Sequence, residues 1–344
     1  MHQFCHVWRI GENETAQQDG RASLRRGSGF DMRILFITAT RIGDAVLSTG
    51  VLDHLHRQYP QARFTVACGP AAAGIFARMP RLDQMIVVDK RRFDGHWFDL
   101  WRRTVTAVWD LVVDLRGSAL SFLLPARRRM VMRGGRRQGH RLGHLAQVVG
   151  LGAGGLAPAP VVWTNAADRA RAEMLIPGGV PAGVPVIALG PTANWEGKVW
   201  PSEQFVALVK SLTQTRLPGA LVAVFAGPGA EERRLAEPVL NALPGAIDLV
   251  GQLTLAEAAA CLARCTLFIG NDSGLMHLSA AAGTPTLGLF GPSMAAEYAP
   301  TGRHTGIAVA PGPAGRAPIA GLPVESALRE AVALLDRVVE AQAA

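Results

Sequence analysis

Four cysteines are too few for a disulfide framework, and none of them forms a CxxC pair. Cys5, Cys68, Cys261 and Cys265 read as reduced thiols of a cytoplasmic protein. Cys261 and Cys265 lie four apart in an alanine-rich helical stretch, a spacing that suits core packing better than metal ligation. No apolar run approaches the roughly 18 residues of a membrane span. The first 31 residues hold no apolar core and no cleavage-like segment, which argues against a secretory signal. They read as a disordered extension ahead of a start at Met32. Tyr and Phe are not interleaved with the arginine clusters, so a stacking surface for single-stranded nucleic acid is poorly supported. Charged residues are only 18% against 49% hydrophobic, which excludes a disordered chain.

What is present is length, arginine and alternation. The 344 residues suggest two domains, each with its own core. The formal net charge of +8 comes mostly from arginine. Arg127 to Arg129, and Arg133 with Arg136 and Arg137, carry much of it. They read either as a solvated basic loop or as contacts for an anionic partner.

From Met32 the chain alternates strand and helix. RILFIT (33–38) is a continuous apolar strand of the kind buried in a parallel sheet. ATRIGDAV follows as a loop, and a helix runs to Pro60. Strands at 62–69, 84–90 and 110–117 follow, with helices at 71–80 and 96–109. The Gly- and Pro-rich stretch 150–163 approaches a domain boundary, and a helix covers 166–175. A second series has strands at 186–191, 220–227, 247–251, 266–270 and 284–291. Its helices lie at 202–215, 230–243, 254–265 and 274–283. The expected organisation is an extension at 1–31, an N-terminal domain at 32–165, a C-terminal domain at 180–324 and a helix at 325–344. The fold class is α/β, two doubly wound halves with ligands bound beyond the carboxyl ends of their strands. The cleft between the halves is the expected site.

Four polar loops fall at those strand ends. In Arg41-Ile42-Gly43-Asp44, the aspartate is either a helix N-cap, gaining about 0.3–1 kcal/mol from the dipole, or a carboxylate exposed to a substrate. Gly190 to Pro201 holds Thr192, Asn194 and Lys198, which suit a phosphate, but it lacks the GxxxxGK[ST] spacing of a P-loop. Trp195 and Trp200 in it either belong to a site or pack between domains. Gly227-Pro-Gly-Ala-Glu231-Glu232 lacks the third glycine of GxGxxG, which disfavours a nicotinamide-cofactor enzyme. Its acids suit ribose hydroxyls or simply a helix N-terminus. Asn271-Asp272-Ser273-Gly274 offers free N–H groups to an anion at a helix start. Asp272 beside an anion would repel it, so it should face sugar hydroxyls or cap the backbone. His277, one turn on, is placed to face the same ligand.

NDSGLMHLSAAAGTPTLGLFGPS (271–293) resembles the sugar-nucleotide motif of the lipopolysaccharide heptosyltransferases, the ADP-heptose family, glycosyltransferase family 9. MRILFITATRIGDAVLSTGVLDHLHRQYP (32–60) looks like that family's start, and KVWP (198–201) and GPGAEE follow in order. The resemblance implies a GT-B fold, two Rossmann-like domains facing a cleft. It implies inverting transfer of a heptose from ADP-heptose to the lipid A-linked core, with no metal and no other cofactor. On this resemblance Asp44 is the general base. Thr192, Lys198, Glu231, Leu253, Ser273 and Gly274 hold the nucleotide and diphosphate, Glu231 at the ribose and Leu253 at the adenine. Asp272 and His277 hold the donor sugar. Acceptor specificity falls in the N-terminal half around Arg127 to His144, where arginines suit a phosphorylated acceptor and an anionic inner-leaflet surface. The expected location is cytoplasmic, peripheral on the inner membrane, with no nucleic-acid partner. The chain departs from the pattern at 294–300, where MAAEYAP replaces an Asp-Pro-type continuation, and at Thr192, which Ala193-Asn194 follows. Rival readings are a GT-B transferase of another nucleotide sugar in envelope polysaccharide synthesis, a sugar-nucleotide epimerase, or a non-catalytic relative.

Overall fold

Successive side chains of a strand point to opposite faces, and the first strand is buried on both. That strand, β1 (Arg33–Ile37), sends Ile34 and Phe36 into one apolar cluster, and Leu35 and Ile37 into another. The computed structural model describes residues 32–90, 94–134, 138–152, 157–179 and 183–343. The expected N-terminal extension and two of the arginines, Arg136 and Arg137, lie outside the described residues.

Among the described residues there are two sheets, and every strand pairing is parallel. The first holds β1, β2 (Arg63–Cys68), β3 (Leu82–Val87), β4 (Trp109–Asp114) and β5 (Ala126–Val131), in the order β3-β2-β1-β4-β5. Its helices are α1 (Ile42–Gln58), α2 (Ala73–Phe76), α3 (Gly95–Thr104) and α4 (Arg141–Val148). Helix α5 (Ala166–Leu175) leads to the second sheet and starts with a full capping box between Asn165 and Asp168.

The second sheet holds β6 (Val186–Gly190), β7 (Leu221–Val224), β8 (Ile247–Asp248), β9 (Leu267–Asn271), β10 (Thr286–Phe290) and β11 (Thr305–Val309). Its order is β11-β10-β9-β6-β7-β8. Counted within its own half, that is the doubly wound order 6-5-4-1-2-3. The helices are α6 (Ser202–Thr215), α7 (Ala230–Ala242), α8 (Leu255–Leu262), α9 (Gly274–Ala281), α10 (Ala295–Tyr298) and α11 (Val324–Ala343). Helix α11 lies against α6, β10 and β11.

One apolar cluster joins the halves. It takes Ile34 and Phe36 from β1 and Val186 and Ala188 from β6, with residues of α1, α5, α8 and α9 between them. Arg78 adds a polar tie across the same seam. Its guanidinium donates to the buried Asp168 carboxylate at 3.0 and 3.3 Å and holds that carboxyl below its usual range.

Four expectations are corrected here. Arg127 to Arg129 do not form a loop but the edge strand β5. Arg127 pairs with Asp110 at 3.1 Å, and Arg129 donates to the carbonyls of Ser121 and Ala126. Charged side chains on an edge strand discourage pairing with another sheet. The segment ATRIGDAV is not all loop, because α1 already begins at Ile42. Asp44 is therefore not the N-cap. That position is Arg41, and Asp44 lies in the helix's first turn. The two tryptophans of the second loop do not pack between the halves: Trp200 is buried within the second half's own core, and Trp195 is exposed.

Candidate active site

In a doubly wound sheet the crevice opens where neighbouring strands are followed by connections running in opposite directions. In the first half that point lies between β1 and β4, and in the second between β6 and β9. Asp44 stands in the first turn of α1 after β1, and the loops after β6 and β9 carry Lys198 and Asp272-Ser273.

The two crevices meet at two helix starts. A Cβ on Gly274 would lie 2.7 Å from Cγ2 of Ile42, and one on Gly43 would lie 3.0 Å from Cδ2 of His277. Glycine at both positions is what lets α1 and α9 approach N-terminus to N-terminus. Neither N-cap, Arg41 or Ser273, makes a side-chain capping bond. The first N–H groups of both helices thus remain for an anion, and both dipoles favour one. Ser273 Oγ is buried beside them with no hydrogen-bond partner.

Lys198 is delivered by an anchored segment. The Trp200 N–H donates to Asn271 Oδ1 at 3.0 Å, and Trp200 Nε1 donates to the Leu322 carbonyl at 3.0 Å. This sets a 3₁₀ turn, Glu196–Lys198, over the end of β9. Lys198 Nζ then donates to Asp272 Oδ2 at 2.6 Å. Asp272 had been expected to face a sugar or the backbone, and its carboxylate faces Lys198. The pairing removes the repulsion that an uncompensated aspartate would exert on an anion there.

His277 is 4% exposed, and its Nδ1 has no partner. Burial pushes it down to about 4, with His140 and Lys198 acting in the same sense and Asp272 against it. It is therefore neutral at pH 7, with one ring nitrogen able to donate and the other to accept. Thr192 is buried at the end of β6, on the loop that carries Lys198. Glu231 lies in the first turn of α7, where Arg234 Nε donates to it at 2.9 Å. Arg234 also pairs with Glu196 and so ties the β7 loop to the Lys198 turn. Half-buried Leu253 directly precedes Thr254, the N-cap of α8. Glu231 and Leu253 stand beyond β7 and β8, along the sheet from Lys198.

Asp44 opens onto a cavity of about 740 Å³. Arg141 faces it, with Nε 3.8 Å from Asp44 Oδ1. Sequence reasoning did not single out Arg141 or Asp114. Asp114 ends β4, is fully buried, and accepts from the N–H groups of Arg116, Gly117 and Ser118 and from the hydroxyls of Ser118 and Ser121. It shapes the loop on the other side of the first crevice. Its signal was the Asp-x-x-Gly-Ser run, since an aspartate at a strand end followed by Gly-Ser favours a carboxylate-bound turn.

Among the described residues no three His, Cys, Asp or Glu side chains group as a metal site would require. Burial pushes the thiols of Cys68 and Cys261 up to about 12, so neither is a thiolate at neutral pH. No helix of the described residues is long and apolar enough to cross a membrane.

Residues 156–315 match the model of glycosyltransferase family 9 (heptosyltransferase). The lipopolysaccharide heptosyltransferase 2 of Salmonella typhimurium is 26% identical over 297 residues, 76% of this chain and 83% of the relative. The lipooligosaccharide heptosyltransferase 2 of Haemophilus influenzae is 25% identical, over 78% of this chain and 86% of the relative. A family 9 glycosyl transferase structure from Veillonella parvula superposes with a TM-score of 0.74 at 21% identity, over 89% of this chain and 97% of that one. The structure of E. coli ADP-heptose lps heptosyltransferase II gives 0.71 at 20% identity, over 89% and 99%. The fold they share with this chain is GT-B, two Rossmann-like domains facing a cleft. Residues 156–315 thus belong to glycosyltransferase family 9 (heptosyltransferase), and the chain is a glycosyltransferase enzyme.

Proposed function

We propose that the protein transfers a heptose from ADP-heptose to the lipid A-linked core of lipopolysaccharide, with inversion and without a metal. The observation that carries this is the junction of Gly43 and Gly274. It brings the start of α1, whose first turn carries Asp44, against the uncapped N-terminus of α9 in the second half.

An inverting transfer needs a base on the face opposite the leaving group. Asp44 takes the proton of the acceptor hydroxyl as that oxygen attacks the anomeric carbon. The bond from that carbon to the diphosphate oxygen breaks as the new bond forms. Negative charge then grows on the diphosphate, where Lys198 and the α9 N–H groups meet it. Donors fixed in place before the reaction stabilise that charge without reorganising, and each is worth roughly 10²–10³ in rate. Ser273 Oγ adds a donor with no competing partner. Neutral His277 and the Lys198-bound Asp272 offer hydrogen bonds to the donor sugar. Glu231 suits the ribose and Leu253 the adenine.

The acceptor is lipid-linked, so the first half would work at an anionic inner-leaflet surface. Exposed Phe122 and Leu123 near the β5 arginines support that, at about 1 kcal/mol per arginine close to the surface.

A nucleotide panel read by thermal shift tests the donor assignment. Ligand at 100 times its dissociation constant adds about 2.7 kcal/mol. ADP and ADP-heptose should stabilise the protein well beyond UDP or GDP. Stabilisation led by UDP or GDP would refute the ADP-sugar donor.

A further inference from the structure

The segment 294–300, MAAEYAP, departs from the family pattern and is absorbed by none of the roles above. It follows β10 in the second half and forms the short turn α10. Two of its side chains, Glu297 and Tyr298, line the cavity onto which Asp44 opens. The facing wall belongs to the first half, with Arg133, Arg141 and His144. Lys198, Asp272, Ser273 and His277 are not part of this lining. Asp44 is thus reached by a cavity whose walls are other than the diphosphate loops.

The two walls are tied together. His140 is the N-cap of α4, and its Nδ1 accepts from the Leu142 N–H at 3.2 Å. That assigns the proton of the neutral ring to Nε2, which then donates to the Ala299 carbonyl at 2.9 Å. Ala299 directly follows Tyr298, and α4 carries Arg141 and His144. One imidazole thus fixes the start of α4 and the end of α10 against each other across the cleft.

We infer that Glu297 and Tyr298 select the acceptor, forming the second-half wall of the pocket that receives the acceptor sugar. The inference rests on Asp44 being the base for the acceptor hydroxyl. A carboxylate accepts from sugar hydroxyls, and a phenol offers both a ring face and a hydroxyl, which together suit a polyol ring. Acceptor recognition is then shared between the halves, where the family resemblance had pointed to the first half alone. His140 acts as a positioning residue, since it holds the two walls in register.

The test uses Glu297→Gln, Tyr298→Phe, Tyr298→Ala and His140→Ala. ADP affinity is measured by calorimetry on each. Acceptor affinity is measured with a de-acylated lipid A–core fragment in an Asp44→Asn background, where chemistry is off. Glu297→Gln and Tyr298→Ala should each weaken fragment binding about tenfold or more, as expected for loss of a hydrogen bond or a stacked ring. Tyr298→Phe should cost less than Tyr298→Ala, and ADP affinity should stay within about twofold throughout. His140→Ala should weaken the fragment without weakening ADP. Weakened ADP binding with unchanged fragment binding would assign Glu297 and Tyr298 to the donor and overturn the inference, and so would no change in either. Failure of the underlying reading shows separately, as continued transfer by Asp44→Asn.

Discussion

Lowering the pH from 7 to 5 should destabilise the protein by about 2 kcal/mol through one side chain, His277. The ring is 4% exposed, and burial holds it at about 4 against an ordinary value of 6.5. The unfolded chain therefore takes up this proton first. Stability from neutral His277 is present above 6.5 and lost as the pH falls towards 4. The gap between 6.5 and about 4 is worth ~3 kcal/mol when fully titrated, at roughly 1.4 kcal/mol per decade. About two thirds of that is gone by pH 5. His304 is also held below its ordinary value, by burial and by Arg303 and Arg337, so it adds to the same window. Asp168 and Glu231 are held low by Arg78 and Arg234, so their contributions are lost only below the ordinary carboxylate values of 3.8 and 4.5. Urea unfolding at pH 7, 6 and 5, followed by tryptophan fluorescence, compares the wild type with His277→Asn. The wild type should lose about 2 kcal/mol more than the variant between pH 7 and 5. Equal losses would refute the claim that His277 is buried as the neutral ring.

Lys198→Ala should weaken ADP about tenfold or more, because it removes a charged donor and leaves Asp272 uncompensated beside the diphosphate. Adding Asp272→Asn should recover part of that loss; calorimetry of ADP binding to both variants reads the effect, and an unchanged affinity in Lys198→Ala would remove it from the site. Gly274→Ala should cost about 1–3 kcal/mol and lower turnover, because the new methyl would sit 2.7 Å from Ile42 Cγ2 and push α1 from α9. Thermal melting and steady-state rates check it, and wild-type values in both would mean the helix starts are not in contact.

The doubly wound fold was readable because its central strands are unbroken apolar runs. β1, β6 and β9 are buried throughout apart from Arg33, the first residue of β1. Helices α5 and α6 were readable end to end, since Asn165 and Pro201 mark their starts. The edge strands β5 and β11 were missed for the opposite reason. An edge strand is half solvated, and Arg127 to Arg129 in β5 carry no apolar alternation. Helix α4 was hidden too, because Gly143 and His144 dilute its pattern.

Within the site, the polar loops could be found by their density after each apolar strand. Their mutual geometry could not. Gly43 and Gly274 are far apart in the chain, and no local pattern says that each exists to admit the other's helix. The Lys198–Asp272 pair was invisible for the same reason, since it depends on Trp200 being pinned to Asn271 and Leu322. The family resemblance supplied candidate roles for the residues. The structure supplied the contacts that a physical account needs, and it brought Arg141 and the α10 wall to the cavity at Asp44.

Transfer by Asp44→Ala tests the central claim most directly. With ADP-heptose and a lipid A-linked core acceptor, the wild type should release ADP and form the glycosylated product. The variant should bind ADP as the wild type does and lose about 10²–10⁴-fold in rate, the usual contribution of a positioned base. Turnover within a few-fold of the wild type would contradict the assignment of Asp44 as the base, and with it the reading of this cleft.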